Sequence, residues 1–194
     1  MSMSIEAAKA ELRRQMTARL RALSAEARAA ASARLCERLC ARPEWQRADT
    51  ILFFASQESE PDIWPLLKAA HAAGKRVALP RYRPEADVYA AASVRDLERE
   101  LARGRFGILE PVATCDGIAL AELDLVLVPG VAFDLRGYRL GRGKGYYDRL
   151  LVEVRGIKCG VAFDQQIVEA VPAGELDIRL DFVLTPTRWV KAGA

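Results

Sequence analysis

The run LDLVLVPG at residues 123–130 constrains the fold more than any other part of the chain. Its Leu/Val stretch has no polar position and stops at Pro-Gly, so a strand here must be covered on both faces, as in a parallel sheet flanked by helices. Shorter apolar runs predict further strands at residues 50–56, 76–80, 87–93, 157–163 and 180–186.

Helical segments separate these runs. Residues 5–41 are rich in Ala, Leu, Arg and Glu and predict two helices, with Ser24 as the N-cap of the second and Glu26 in its positively polarised first turn. Further helices are predicted at residues 61–74, ending at the C-cap glycine Gly74, and at residues 145–154. The pattern between residues 94 and 123 is weaker and predicts a short helix, a turn and an extended piece ending at Pro111.

This alternation predicts an α/β fold. We expect one domain over residues 1–194, built as a three-layer α/β/α sandwich with a mainly parallel sheet. The two helices of residues 1–41 precede this core and pack on it. Ligands in such folds bind outside the carboxyl ends of the strands.

Composition excludes several other classes of protein. The formal net charge of +3 over 194 residues gives no reason to expect a nucleic-acid partner, and no apolar run approaches the ~20 residues that span a bilayer. The charged N-terminus does not resemble a signal peptide, so we expect a cytoplasmic protein without membrane partners. The cysteines Cys36, Cys40, Cys115 and Cys159 and the single histidine His71 lack the spacing of a zinc site, and a structural role is expected for the cysteines.

The segment RLGRGKGYYD at residues 139–148 concentrates glycine and positive charge. Glycines let the backbone approach a ligand closely, and successive amides before a helix form an anion-binding nest. The loop supplies cations for phosphate, two tyrosine rings for a planar ligand, and a carboxylate suited to Mg²⁺ beside phosphates. These features favour a nucleotide polyphosphate site, although the P-loop and Rossmann glycine patterns are absent and a solvated basic loop remains the alternative.

The segment VPGVAFDLRGYRLGRGKGYYDRLL resembles the signature of the 5-formyltetrahydrofolate cyclo-ligases, also called methenyltetrahydrofolate synthetases. Further similar segments occur in the family's order over nearly the whole chain: KAELRRQM, FFASQESEPD, GKRVALPRY, FGILEP, GVAFDQQ and LDFVLTP. The resemblance implies an enzyme that converts 5-formyltetrahydrofolate, with or without a polyglutamate tail, to 5,10-methenyltetrahydrofolate. ATP is the implied co-substrate and Mg²⁺ the implied cofactor, with ADP and phosphate released. A monomer is favoured.

The resemblance also implies roles for individual residues. The implied ATP contacts are Lys9, Ala10, Glu11, Leu12, Arg13, Arg139, Leu140, Gly141, Arg142, Gly143, Lys144, Gly145, Tyr146 and Tyr147. The implied folate contacts are Ala55, Glu60 and residues 142–146, and the implied metal ligands are Asp148 and Asp181. Of these, Lys144, Arg142 and Tyr146 are expected to act in catalysis.

Two other interpretations remain open at this point. A non-catalytic nucleotide-binding regulatory domain would need the glycine-rich loop but not Glu60. A sugar-phosphate isomerase or CoA-transferase-like enzyme would need a catalytic carboxylate near a phosphate loop but no ATP.

Overall fold

The structure is a computed structural model, and it describes residues 4–193. Within that range there are five α-helices and twelve β-strands. The helices are α1 (Ile5–Arg21), α2 (Ala25–Cys40), α3 (Pro43–Arg47), α4 (Trp64–Ala72) and α5 (Tyr146–Leu151). The strands are β1 (Thr50–Leu52), β2 (Arg76–Arg83), β3 (Val88–Ser93), β4 (Leu101–Arg103), β5 (Leu109–Pro111), β6 (Gly117–Ile118), β7 (Leu125–Val128), β8 (Ala132–Phe133), β9 (Arg139–Leu140), β10 (Ile157–Val161), β11 (Phe182–Leu184) and β12 (Trp189–Lys191).

Eight of the strands form one sheet in the order β12-β11-β10-β7-β1-β2-β3-β6. The five inner strands from β11 to β2 run parallel, whereas β12, β3 and β6 join the two edges antiparallel. The apolar run of residues 123–130 becomes β7, between β1 and β10, with all four residues buried. The predicted α/β fold with a mainly parallel sheet is confirmed.

Helices cover both faces of this sheet. Leu35 of α2, Trp45 of α3 and Leu66 of α4 share one apolar cluster with Ile51 of β1. The next residue of β1, Leu52, points to the opposite face and joins α5 in a second cluster. The alternation along one strand therefore builds the three layers. No helix within residues 4–193 is long and apolar enough to cross a membrane.

The N-terminal helices begin where the sequence predicts. The Oγ of Ser24 accepts a hydrogen bond from the Ala27 amide at 3.1 Å, and Glu26 lies in the first turn. α1 packs differently from α2: its buried Met16 contacts the two-stranded β8–β9 ribbon, next to Leu140, instead of the main sheet. This contact brings α1 beside the glycine-rich loop, which begins immediately after β9.

Two predicted helical segments differ in the structure. α4 begins at Trp64 and not at residue 61, because the amides of Asp62 and Ile63 donate to serine hydroxyls, Ser32 at 3.0 Å and Ser56 at 3.1 Å, before the helix starts. The strand predicted at 50–56 ends earlier than expected, at Leu52. Residues 53–63 form a loop at the carboxyl edge of the sheet.

The short helix predicted after residue 94 is a single turn, closed by the bond from the Glu100 amide to the Asp96 carbonyl. The Glu100 side chain accepts from the Arg95 and Asp96 amides and holds that turn. β12 and the β8–β9 ribbon, whose strands are two or three residues long, were not predicted. β1 and β11 are as short but lie within the longer predicted runs 50–56 and 180–186.

Candidate active site

A cavity of about 560 Å³ opens at the carboxyl ends of β1 and β7. Phe54 and Ala55 line it just after β1, and Pro129 and Gly130 line it just after β7. The loop of residues 139–148 forms another wall. This is the edge of the sheet at which the sequence predicted a ligand site.

Most of the residues implied by the resemblance meet in this cavity. Those that line it are Lys9, Arg13, Ala55, Glu60, Arg139, Leu140, Gly141, Arg142, Gly143, Lys144, Gly145, Tyr146, Tyr147 and Asp148. Three neighbours on α1, Ala10, Glu11 and Leu12, do not line it. Glu11 pairs with Arg14 at 2.7 Å on the outer side of the helix, and Leu12 packs against the cluster around Met16.

Backbone conformation favours glycine at two points of the loop, and a side-chain contact favours it at a third. Gly143 and Gly145 have φ values of 97° and 65°, a conformation that residues with a Cβ rarely adopt. A Cβ at Gly141 would lie 2.9 Å from Nη1 of Arg139. The Nε of Arg13 donates to the Gly141 carbonyl at 2.9 Å, so α1 holds the loop from the side.

Arg139 is a buried cation at the base of the loop, 5% exposed. Its Nη2 donates to Oδ1 of Asp148 at 2.9 Å, while its Nε is buried without a hydrogen-bond partner among the described residues. Burial lowers the pKa of Arg139, and the carboxylates of Asp148 and Asp177 act in the opposite direction. A buried guanidinium with an unused donor is suited to an incoming anion.

Asp177 also lines the cavity, although no sequence motif predicts a role for it. Lys9 donates to both of its carboxylate oxygens, at 2.7 and 3.0 Å, and both side chains are mostly buried. Burial alone would raise the pKa of Asp177, but the Gly174 amide and the Lys9 ammonium outweigh it and lower the pKa. No local pattern marks this acid, because it lies in an irregular loop far from the glycine-rich segment.

An ion pair joins the two loops that face each other across the cavity. Arg142 of the glycine-rich loop donates to Oε1 of Glu60 at 2.9 Å, and the second oxygen of Glu60 accepts from the Gln57 amide at 3.0 Å. The Glu60 side chain is 7% exposed and the Arg142 side chain 53% exposed. Two residues expected to contact ligands are therefore bonded to each other.

The tyrosines lie at the start of α5. The hydroxyl of Tyr146 donates to Asp87 at 3.0 Å, and its ring lies edge-on to Tyr89, with centroids 5.2 Å apart. Tyr89 comes from β3 and lines the same cavity. Burial raises the pKa of Tyr147 far above its usual range, so its hydroxyl stays protonated.

The two acids expected to hold one metal ion do not meet. Asp148 lines the cavity, but Asp181 comes just before β11, and its Oδ2 accepts from the Lys158 amide at 2.7 Å near the start of β10. Because β10 and β11 are parallel, both positions lie at the amino edge of the sheet, opposite the cavity. No cluster of three or more possible metal ligands occurs within residues 4–193. Asp177 is the other aspartate that lines the cavity, and its charge acts with that of Asp148 on Arg139.

Comparison with known proteins agrees with this geometry. The model of the 5-formyltetrahydrofolate cyclo-ligase family matches residues 5–186. A 5-formyltetrahydrofolate cyclo-ligase from Mus musculus is 32% identical, over 94% of this chain and 96% of the relative. One from Escherichia coli K12 is 36% identical, over 88% of this chain and 96% of the relative.

Solved structures give the same result. The 5,10-methenyltetrahydrofolate synthetase of Aquifex aeolicus superimposes with a TM-score of 0.86 at 34% identity, covering 96% of this chain and 93% of that one. A synthetase from Mycoplasma pneumoniae, at 21% identity and a TM-score of 0.71, shares the fold. The chain therefore belongs to the 5-formyltetrahydrofolate cyclo-ligase family.

Proposed function

We propose that this protein uses ATP and Mg²⁺ to close 5-formyltetrahydrofolate to 5,10-methenyltetrahydrofolate, releasing ADP and phosphate. The observation that carries the proposal is one cavity that combines a glycine-rich loop, a buried guanidinium with a free donor, and an aromatic wall. Family membership supports the reaction class.

The need for ATP follows from the chemistry of the substrate. A formamide oxygen is a poor leaving group, so it must be activated before the ring can close. The formyl oxygen attacks the γ-phosphorus and ADP leaves. The N10 nitrogen of the folate then attacks the formyl carbon, the carbon–oxygen bond breaks, and phosphate departs with that oxygen while N10 loses its proton. Catalysis of such a transfer rests mainly on positioning and charge neutralisation.

The basic end of the cavity suits the phosphates. The backbone of residues 141–145 provides a wall with amide donors, and Arg139 offers its unpartnered Nε. Lys144 is an exposed cation on that wall, available for charge that develops on the γ-phosphate. Arg142 reaches the same region once a phosphate competes with Glu60 for its guanidinium.

The aromatic end suits the folate. The ring faces of Tyr89 and Tyr146 offer a surface for the pterin, and Ala55 gives space beside β1. Asp87 fixes the Tyr146 hydroxyl and so the orientation of its ring. Glu60 lies between the two ends, where its carboxylate can accept from a folate N–H when Arg142 turns to phosphate.

Mg²⁺ would be held by Asp148 and Asp177, together with phosphate oxygens. Mg²⁺ binds commonly through one or two carboxylates and substrate phosphates, so a site without three protein ligands fits this ion. When bound, it would neutralise charge on the phosphates. Asp148 and Asp177 also form ion pairs with Arg139 and Lys9, respectively.

The test is the conversion itself. Purified protein with 5-formyltetrahydrofolate and MgATP should produce the near-ultraviolet absorbance of the methenyl product, with one ADP formed per product. Omission of ATP, or chelation of Mg²⁺, should abolish the signal. Absence of product under saturating conditions, with folded protein, would reject the proposal. The cytoplasmic location, the monomeric state and the absence of nucleic-acid and membrane partners stay predictions.

A further inference from the structure

Glu110 is a buried carboxylate in the cavity to which neither the sequence nor the family resemblance gave a role. It lies on β5, is 7% exposed, and lines the same cavity as the glycine-rich loop. Gly104 lies directly over it, since a Cβ at that glycine would come within 2.4 Å of the Glu110 carboxyl carbon. The turn of residues 104–107 therefore covers one side of the Glu110 carboxylate, and another side of the carboxylate faces the cavity.

The hydrogen-bond partners of Glu110 are neutral. Oε2 accepts from the Tyr82 amide at 2.9 Å, and Oε1 accepts from the Tyr89 hydroxyl at 3.2 Å. Burial, with the Glu110 charge as a further cause, raises the pKa of Tyr89, so this hydroxyl remains a donor. Within residues 4–193, Glu110 forms no ion pair with a lysine or arginine, in contrast to Glu60, Asp148 and Asp177.

Such a carboxylate is costly to keep. Burying a charge without a countercharge disfavours the folded state, whereas a neutral residue at this position would avoid that cost. Each carboxylate oxygen accepts about two hydrogen bonds, so the two protein donors leave acceptor capacity unused. The cavity wall here includes Pro80, Tyr89, Ile108 and Leu109, which are apolar or aromatic and offer no positive charge to a phosphate. The cation of the adjoining turn, Arg105, lies over the Tyr82 ring, 4.1 Å from its centroid.

We infer that Glu110 binds N–H donors of the reduced pterin ring and is a substrate-specificity residue. This inference rests on the proposed function. The pterin carries donors at its 2-amino group, N3 and N8, more than Glu60 alone can accept. An adenine ring is a weaker match, because its amino group is flanked by ring nitrogens that are acceptors and would face the carboxylate. Folate, and not ATP, is the ligand that this end of the cavity recognises.

The first test compares two variants by calorimetric titration. Glu110→Gln keeps an oxygen acceptor for the Tyr82 amide but removes the charge, and the affinity for 5-formyltetrahydrofolate should fall about tenfold to hundredfold. Its affinity for ATP should stay within about twofold of wild type. The matched control is Glu100→Gln, because Glu100 also holds backbone amides but lies outside the cavity; both affinities should be unchanged.

A second measurement separates contact from a structural effect. A 5-formyltetrahydrofolate analogue with a methyl group in place of the 2-amino group should bind wild type more weakly, and this penalty should largely disappear in Glu110→Gln. The inference is overturned if Glu110→Gln retains wild-type folate affinity, loses ATP and folate affinity equally, or keeps the full analogue penalty. Loss of the proposed function would look different, because wild-type protein itself would then form no methenyl product.

Discussion

Replacement of Asp148 by asparagine should affect both stability and magnesium use. Arg139 is almost fully buried, and the 2.9 Å contact with Asp148 is its ion pair within the described part of the chain. Breaking a buried pair costs about 3–5 kcal/mol, because the remaining charge is left uncompensated. Asp148 is 23% exposed and asparagine still accepts a hydrogen bond, so we expect the lower end, about 3 kcal/mol.

For a protein of this size, about 3 kcal/mol corresponds to a fall in Tm of about 6–12 °C. Scanning calorimetry of Asp148→Asn without ligand measures this directly. ATP should restore part of the lost stability, since its phosphates supply negative charge to Arg139. In a steady-state assay the variant should also require more Mg²⁺ than wild type, because an amide is a weaker ligand for a hard cation.

The matched control is Asp181→Asn. Asp181 is exposed at the amino edge of the sheet, and its contact is a hydrogen bond from the Lys158 amide. We expect little change in Tm and a wild-type Mg²⁺ requirement. The reasoning is refuted if Asp148→Asn melts and responds to Mg²⁺ like wild type, or if Asp181→Asn is the variant that needs more Mg²⁺.

Three further predictions concern other side chains of the cavity. Lys144→Ala should reduce kcat by about 10²-fold, which is the scale for one preorganised electrostatic group. The control is Lys68→Ala on α4, outside the cavity, which should keep the wild-type kcat. Equal kcat values in the two variants would contradict the phosphate role of Lys144. Glu60→Gln should lower the affinity for folate about tenfold to hundredfold and leave the affinity for ATP nearly intact, as measured by titration calorimetry together with melting curves. A lower Tm with unchanged folate affinity would show that Glu60 serves only as the ion-pair partner of Arg142. The lowered pKa of Asp177 means that its ionised form stabilises the folded protein above about pH 4, a contribution lost as pH falls through the folded-state pKa. Asp177→Asn should therefore flatten the decline of Tm as the pH falls below about 4, and an unchanged decline would count against the Lys9 pairing.

The inner sheet was predictable from the sequence because buried parallel strands are mostly apolar. β7 is apolar at every position, whereas β1 and β10 each contain one polar residue, Thr50 and Lys158, near the amino edge. The Pro-Gly after β7 marks the edge at which the cavity opens. The glycine-rich loop was also predictable, because its glycines and cations are close together in the sequence. The start of α2 was predictable as well, because a single residue, Ser24, caps the helix.

The site residues that the sequence did not predict depend on contacts between distant parts of the chain. Asp177 is held by Lys9, which lies 168 positions earlier in the sequence. Lys9 belongs to the segment KAELRRQM, but no local pattern marks Asp177. Glu110 lies in the quoted segment FGILEP, but its burial depends on Gly104 and on amides of β2. Asp181, which was expected to bind the metal, lies outside the cavity because of the direction of its strand. A residue just before a parallel strand lies at the amino edge, and the ligand edge is the opposite one.

Transfer of the formyl oxygen tests the central claim most directly. Wild-type protein is given 5-formyltetrahydrofolate labelled with ¹⁸O in the formyl group, together with MgATP, and the released phosphate is analysed by mass spectrometry. If the formyl oxygen attacks the γ-phosphorus, each phosphate formed with a methenyl product carries one ¹⁸O. Methenyl product accompanied by unlabelled phosphate would show that ATP does not activate the formyl oxygen, and would contradict the account.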